Sequence, residues 1–331
     1  MNNIKDIIKS ANSQKPDKYN ILTFPTHERY ETQLCKTGHN FYSCHIQNNK
    51  KWNKEQTAVP ENYYILPENQ VINYIDFDFI LVQSKYWQYQ VAMDIIKSRP
   101  LPIIVLEHTL PTPETVSQEN IQAMKQMVGH INVFISEFSK SEWGIENNSK
   151  VIYHGVDSET FKPIEVDKED YILTVANDFK NRNYCLNYEG WNRITEDLET
   201  VLVGENNGEG SKACKNADEL AVEYNKCKVY LNTTTLSPIP MSLLEAMSCG
   251  CAVVSTATCM IPEVIQDGVN GFISNDEKKL REKTEMLLAN EELRKTMGEN
   301  ARKTIQNMFS EQRFLDEWNN TFDQICEAKK I

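Results

Sequence analysis

Short apolar runs alternate with amphipathic stretches along most of the chain. Three segments of the first half have apolar positions at helical spacing: 28–37, 85–98 and 117–128. Six runs rich in β-branched and aromatic residues lie around them, at 19–24, 40–46, 77–83, 101–108, 132–136 and 150–154. Alternation of this kind predicts a parallel sheet covered by helices on both faces.

The second half repeats the pattern after a polar, turn-rich segment. That segment reads "HGVDSETFKPIEVDKED" and contains the turn-forming residues Gly155 and Pro163. Five further strand-like runs follow it, at 171–176, 199–204, 228–233, 251–256 and 270–274. We interpret the polar segment as a linker, and we predict two domains, residues 1–154 and 155–331.

Three amphipathic helices are predicted at the end of the chain. In the last, four large apolar side chains are spaced by four, four and three residues, which places Phe314, Trp318, Phe322 and Ile325 on one face. That face has to be covered, either by the second sheet or by the first domain. The predicted architecture is two Rossmann-like α/β domains in tandem, with ligands in a cleft at the carboxyl ends of the strands.

Composition narrows the class of protein. A chain of 331 residues suits about two domains, and its net charge of −12 opposes stable binding of nucleic acid or anionic membrane. The sequence has no apolar run near the length of a transmembrane segment, and its first residues are too polar for a secretory leader. We therefore expect a cytoplasmic protein.

Nine cysteines without a C-x-x-C pair predict free thiols rather than a zinc site.

The stretch "SPIPMSLLEAMSCGCAVVS" holds the most informative local pattern. It predicts a helix that ends near Gly250 and is followed by a buried strand. Ser242 and Glu245 have the spacing of a capping box, in which the serine hydroxyl accepts from the glutamate amide. On this pattern alone, both residues would serve to start the helix.

Longer motifs resemble a known family. The stretches "VFISEFSKSEWG", "VIYHGVDSETFKP" and "SLLEAMSCGCAVVSTATCMIPEVIQDGVNGFI" occur in the order and spacing of family 4 glycosyltransferases, and "LCKTGHNFY" is similar to that family's first helix-to-strand turn. The resemblance implies the GT-B fold and transfer of a sugar, with retention, from a UDP-sugar or GDP-sugar to a hydroxyl acceptor. It also implies an enzyme that needs no cofactor and no metal.

The same resemblance implies a set of donor-binding residues. Glu245 would hold the ribose hydroxyls, while the helix start at Ser242 and Leu243 would face the diphosphate. Further donor contacts are expected from the loop after the first strand of the second domain, at Asn177, Lys180 and Arg182. The alternative for these cations is an ordinary solvated loop.

One segment departs from the family. Its members carry two glutamates separated by seven residues, with glycines after the first. Here the first glutamate is replaced by Ser237, and Pro238 and Pro240 occupy glycine positions. Proline has no amide hydrogen to donate. We therefore expect sugar recognition at Ser237 to differ from the family, or activity to be reduced or lost.

In the first domain, the resemblance places His108 beside the transferred sugar, although a lone histidine is more often structural. His108 and Ser237 are the catalytic candidates, and a phosphate oxygen of the leaving group can take the acceptor proton. We expect the acceptor side to involve His27, Glu28 and Arg29, which could instead begin a helix.

Two alternatives to an ordinary glycosyltransferase stay open. A non-catalytic nucleotide-sugar-binding module would explain Ser237, the two prolines and Asn177. A GT-B glucosyltransferase acting on modified DNA bases would need a basic groove. The acidic composition opposes the second alternative.

Overall fold

The computed structural model describes residues 18–46, 52–54, 57–69, 75–114 and 116–328. The chain divides into two compact units. Unit one comprises the described residues up to Ile152 together with those from Gln312 onward, and unit two comprises Tyr153–Glu311. No helix among the described residues combines the length and apolar character needed to cross a membrane.

Unit one is built on a seven-stranded parallel sheet in the order β3-β2-β1-β4-β5-β6-β7. Its strands are β1 (Asn20–Thr23), β2 (Asn40–Ser43), β3 (Tyr63–Ile65), β4 (Phe79–Val82), β5 (Ile103–Glu107), β6 (Ile131–Phe134) and β7 (Ser149–Val151). In the described stretches between these strands lie four helices: α1 (Glu28–Cys35), α2 (Trp87–Ser98), α3 (Gln118–Lys125) and α4 (Glu137–Trp143).

Alternate residues of the central strands supply two apolar layers, one on each face of this sheet. Ile21 and Phe79 belong to one layer, and their chain neighbours Leu22 and Ile80 belong to the other. Burial on both faces explains why these strands are almost continuously apolar in sequence.

Unit two contains a six-stranded parallel sheet in the order β10-β9-β8-β11-β12-β13. Its strands are β8 (Ile172–Val175), β9 (Thr200–Val203), β10 (Ser211–Lys212), β11 (Val229–Asn232), β12 (Ala252–Ser255) and β13 (Phe272–Ile273). Its helices are α5 (Asn183–Leu186), α6 (Tyr188–Thr195), α7 (Ala217–Lys226), α8 (Met241–Ser248), α9 (Ile261–Val264), α10 (Glu277–Ala289) and α11 (Glu291–Met308).

The last helix, α12 (Glu311–Ala328), packs on the sheet of unit one. Its four apolar side chains are fully buried in the layer that contains Ile21 and Phe79. Trp318 also donates a 3.1 Å hydrogen bond from Nε1 to the hydroxyl of Tyr30 on α1. The chain therefore returns to unit one after completing unit two.

The prediction of two parallel sheets flanked by helices is confirmed. The predicted strands are mostly one or two residues too long at their ends, and β3 and β10 were missed. β10 has two polar residues at a sheet edge, and β3 has three residues, so neither gives a periodic signal.

The packing of α12 predicts a large stability effect at Phe322. Phe322→Ala removes a fully buried ring, which is expected to destabilise unit one by about 3–5 kcal/mol. Urea unfolding monitored by tryptophan fluorescence would measure the change. Asn320→Ala, on the exposed face of the same helix, is the matched control and should shift the midpoint little. Equal effects of the two substitutions would contradict the packing.

Candidate functional site

Two loops of unit two leave neighbouring strands at the same edge of the sheet. β8 and β11 are adjacent, but the chain runs outward from β8 through β9 to β10 before it returns to β11. This is a topological switch point, and crevices at the carboxyl ends of such strands commonly bind ligands. The loop after β8 carries Lys180 and Arg182, and the segment after β11 carries Ser237.

The loop after β11 is tied to the helix that follows the loop after β8. The amides of Thr235 and Leu236 donate to the carbonyl oxygen of Cys185 at 2.8 and 3.1 Å. The Thr233 hydroxyl donates to the carbonyl oxygen of Leu186 at 2.9 Å. These bonds hold the loop after β11 against this helix, although about 50 residues separate the bonded groups along the chain.

Helix α8 begins at Met241, with Pro240 as its N-cap. The Pro240 carbonyl accepts from the amides of Leu243 and Leu244 at 3.1 and 3.4 Å. In the part of the chain that the structure describes, the amides of Met241 and Ser242 have no hydrogen-bond partner. The first turn of α8 therefore presents two donors to an anion, as helix starts commonly do.

The capping-box interpretation of Ser242 and Glu245 is wrong. Ser242 is the second residue of the helix rather than its cap, and its hydroxyl accepts a 2.9 Å hydrogen bond from the Tyr230 hydroxyl. Pro240 starts the helix instead, because its extended backbone conformation aligns its carbonyl with the first turn. Leu243 points its side chain into the core, so only its backbone lies near the helix start.

Glu245 is a deeply buried carboxylate in the second turn of α8. Its side chain is 3% exposed, and its Oε2 accepts a 3.0 Å hydrogen bond from the hydroxyl of Tyr224 on α7. Burial, followed by the charge of Glu245, raises the pKa of Tyr224 well above its usual value. Tyr224 consequently remains a hydrogen-bond donor at physiological pH.

The segment ahead of α8 is well anchored. Pro238 is buried, and its carbonyl accepts a 3.1 Å hydrogen bond from the amide of Met260. Ile239 is buried in the core, while Ser237 is half-buried. The backbone around Ser237 is thereby fixed on both sides, and its short polar side chain stands at the carboxyl edge of the sheet.

The loop after β8 exposes the three predicted side chains Asn177, Lys180 and Arg182. Asn177 Oδ1 accepts from the amide of Glu205 at 2.9 Å, so Asn177 holds the loop through its amide group. Within the described parts of the chain, neither Lys180 nor Arg182 forms an ion pair. Both cations are available to an anionic ligand.

A glycine permits this loop to lie close to the end of β9. Gly204 has a φ of +145°, and a Cβ placed on it would lie 2.0 Å from the carbonyl oxygen of Ala176. A side chain at this position would therefore push the loop away from the sheet.

In unit one, the residues that the sequence singled out converge in part. His108 follows β5 and is half-buried. Its ring meets the rings of Tyr30 and His27 edge-on, with centroids 4.7 and 4.9 Å apart. His27 immediately precedes α1, where Glu28 accepts from the amide of Asn53 at 3.2 Å and Arg29 is exposed.

The sequence did not predict the hydrogen bonds that hold the turn around His108, which we call the Glu107 and Thr109 clamp. Buried Glu107 accepts hydrogen bonds from the amide and the hydroxyl of Thr109, at 2.9 and 2.6 Å. The Thr109 carbonyl in turn accepts from Nε1 of Trp143 at 2.9 Å. The turn that carries His108 is thus held from both sides. Burial raises the pKa of Glu107.

A second buried carboxyl, Glu31, lies on α1 beside Tyr30. It is 2% exposed, and its Oε1 accepts from the Tyr63 hydroxyl and from Nε2 of Gln83, at 3.1 and 2.9 Å. Burial raises its pKa to about 7. No sequence signal identified Glu31, because a glutamate in the first turn of a helix is normally interpreted as an exposed charge.

Comparison with known families decides the class of unit two. Residues 156–304 match the family described as "Glycosyl transferases group 1". This segment belongs to that family.

Curated relatives of the chain include several glycosyltransferases. An uncharacterized glycosyltransferase of Methanocaldococcus jannaschii is 26% identical over 189 residues, which cover 51% of this chain and 53% of that protein. The N-acetyl-alpha-D-glucosaminyl L-malate synthase of Bacillus anthracis is 32% identical over 27% of this chain and 24% of its own length. The chain thus matches about half, or less, of the length of these relatives.

Solved structures that resemble the whole chain have the GT-B fold. HepE of Anabaena, solved in complex with UDP-glucose, has a TM-score of 0.75 at 16% identity and covers 92% of this chain and 100% of its own. Sucrose-phosphate synthase of Thermosynechococcus elongatus has a TM-score of 0.75 at 14% identity, over 94% of this chain and 100% of its own. The predicted GT-B fold is confirmed.

The candidate site of the group 1 segment contains no evident metal centre. Among the described residues, no three or more His, Cys, Asp or Glu side chains are grouped as metal ligands would be. The groups that could meet a negative charge are the two loop cations and the open amides of α8.

The raised pKa of Glu31 predicts a pH dependence of stability. The folded protein holds the Glu31 proton up to about pH 7, whereas an unfolded chain releases it near its ordinary pKa of 4.5. Stability should therefore fall as pH rises from about 5 to about 7, by up to about 3 kcal/mol. Glu31→Gln should remove this fall, and thermal unfolding from pH 5 to 8 would measure it.

Glu119→Gln, an exposed glutamate on α3, is the matched control and should keep the wild-type pH profile. An unchanged profile in Glu31→Gln would show that Glu31 does not titrate in this window.

Proposed function

We propose that the protein is a retaining glycosyltransferase, which transfers a sugar from a UDP-sugar or GDP-sugar to a hydroxyl acceptor. One observation carries the proposal: the amides of Thr235 and Leu236 donate to the carbonyl of Cys185, which ties the segment ahead of α8 to the element that follows the loop with the two cations. Helix α8 adds two open amides and a buried carboxylate. These are the groups that a nucleoside diphosphate requires. Membership of residues 156–304 in the group 1 family supports the same activity.

The diphosphate would be bound by Lys180, Arg182 and the start of α8. Helix amides and the positive end of the helix dipole suit phosphate oxygens. As the sugar leaves, negative charge develops on the diphosphate, and positive groups held in place stabilise it. Since side chains and amides supply this charge, we propose that transfer needs no metal and no cofactor.

Glu245 would bind the ribose. Its carboxylate is held by Tyr224 in the second turn of α8 and would accept charge-assisted hydrogen bonds from the ribose hydroxyls. The complex of HepE with UDP-glucose supports a uridine nucleotide as the donor.

Sugar recognition would differ from the family at Ser237. A serine can donate as well as accept a hydrogen bond, and it carries no charge. Pro238 and Pro240 fix the backbone next to it and supply no amide donor. We propose that Ser237 contacts the hydroxyls of the donor sugar and determines which sugar is used.

In unit one, His108 is proposed to stand near the transferred sugar, with His27, Glu28 and Arg29 on the acceptor side. The Glu107 and Thr109 clamp would hold the His108 turn in place. A phosphate oxygen of the leaving group would take the acceptor proton, so His108 need not act as a general base.

Substitution of Glu245 tests the ribose contact. Glu245→Ala should weaken binding of the nucleoside diphosphate by about 1–3 kcal/mol, because charged hydrogen bonds to the ribose are lost. Isothermal titration calorimetry with UDP and GDP would measure this. Glu189→Ala, an exposed carboxylate on α6, is the matched control and should bind like the wild type. Unchanged affinity in folded Glu245→Ala would reject the assigned role.

A screen of nucleotide sugars separates transfer from binding alone, and substitution of Ser237 then tests its role in sugar specificity. Wild-type protein is first screened with a panel of nucleotide sugars for thermal stabilisation, donor hydrolysis and transfer. Ser237→Glu should then widen donor use toward common hexoses. Nucleotide-sugar binding with neither transfer nor hydrolysis would favour the non-catalytic binding module. The observation that motivates this second candidate is Ser237 at the position of the family's glutamate.

A further inference from the structure

We infer that Tyr224 is a positioning residue, which fixes the carboxylate of Glu245 in the orientation that meets the nucleotide ribose. The inference rests on the proposed function, because it assigns a second residue to the same contact. It is carried by the 3.0 Å hydrogen bond from the Tyr224 hydroxyl to Oε2 of Glu245.

The ring of Tyr224 has no freedom to move. Its side chain is 0% exposed, and it meets the rings of Phe161 and Tyr230 edge-on, with centroids 6.0 and 5.7 Å apart. The Tyr224 carbonyl also accepts from the thiols of Cys227 and Cys251 at 3.3 and 3.0 Å. The hydroxyl position is therefore set by the core of unit two rather than by a ligand.

A directional partner of this kind matters for a buried carboxylate such as Glu245. The last torsion of a glutamate side chain is broad, so a carboxylate without directional bonds samples many orientations. A buried carboxylate has also lost most of its hydration, so each remaining hydrogen-bond donor stabilises its charge more strongly. A fixed phenol on Oε2 defines the plane of the carboxylate and thereby the direction of its other lone pairs.

Tyr230 provides an internal comparison. It is buried beside Tyr224, and its hydroxyl donates to the hydroxyl of Ser242 at 2.9 Å. Ser242 and Glu245 are three residues apart and therefore lie on the same side of α8. Each tyrosine thus supports one polar residue of the helix, but only Tyr224 holds a charged one.

The experiment measures how strongly the ribose hydroxyls contribute to binding. The full chain is titrated calorimetrically with the diphosphate that the wild type binds, UDP or GDP, and with its 2′,3′-dideoxy analogue. The affinity for the natural diphosphate divided by the affinity for its dideoxy analogue measures the contribution of the ribose hydroxyls. Tyr224→Phe removes one hydroxyl and should lower this ratio about five- to tenfold, while the dideoxy analogue binds within about twofold of the wild type.

Tyr230→Phe is the matched control. It removes an equivalent hydroxyl from the same cluster and should keep the wild-type affinity ratio, whatever it does to overall affinity. If both substitutions weaken both nucleotides equally, or if Tyr224→Phe leaves the ratio unchanged, Tyr224 is purely structural and the inference is overturned.

Tyr224→Phe takes one hydrogen-bond donor from a buried charge and could therefore prevent folding. A second pair of variants tests the inference in that case. Glu245→Gln removes that charge, and adding Tyr224→Phe to it should change neither affinity by more than about twofold. A further selective loss of the natural nucleotide would overturn the inference. A wild type that binds neither UDP nor GDP rejects the proposed function itself, and this is seen before any variant is compared.

Discussion

The candidate donor site depends on one junction, the carbonyl oxygen of Cys185 and the two amides that donate to it. β8 and β11 lie at a switch point, where the connections of a doubly wound sheet diverge to opposite faces. Bonds from Thr235 and Leu236 to Cys185 counteract that divergence. They tie the segment that leads to Ser237 to the element that follows the loop with Lys180 and Arg182, as a single ligand bound by both would require.

Much of the fold could be predicted because its signals are local. A strand buried on both faces must be apolar. In a helix that packs on a core, apolar side chains must recur every three to four residues. The face of α12 shows the limit of this reasoning. Periodicity requires Phe322 and its neighbours to be covered, but it cannot say by which sheet, since the aromatic rings outside α12 that Phe322 contacts lie more than 240 residues earlier in the chain. β10 gave no signal because it has only two polar residues.

The candidate site could be predicted only where a residue follows a recognisable strand or a specific motif, as His108 and Glu245 do. The residues that hold them could not. Tyr224 and Glu245 are 21 residues apart on different helices, and Glu31 looks like any exposed helical glutamate until Tyr63 and Gln83 surround it. Buried polar partners are selected by three-dimensional packing, which has no period in the sequence.

The two prolines affect the sugar and the diphosphate differently. They remove amide donors from the segment around Ser237, where glycines would supply them. Pro240, however, supplies the carbonyl that caps α8 and leaves the amides of Met241 and Ser242 open. The open amides of α8 and the carboxylate proposed for the ribose are therefore preserved, and the departures from the family lie at Ser237 with its two prolines and at Asn177. This pattern argues for altered sugar specificity rather than for a lost nucleotide site.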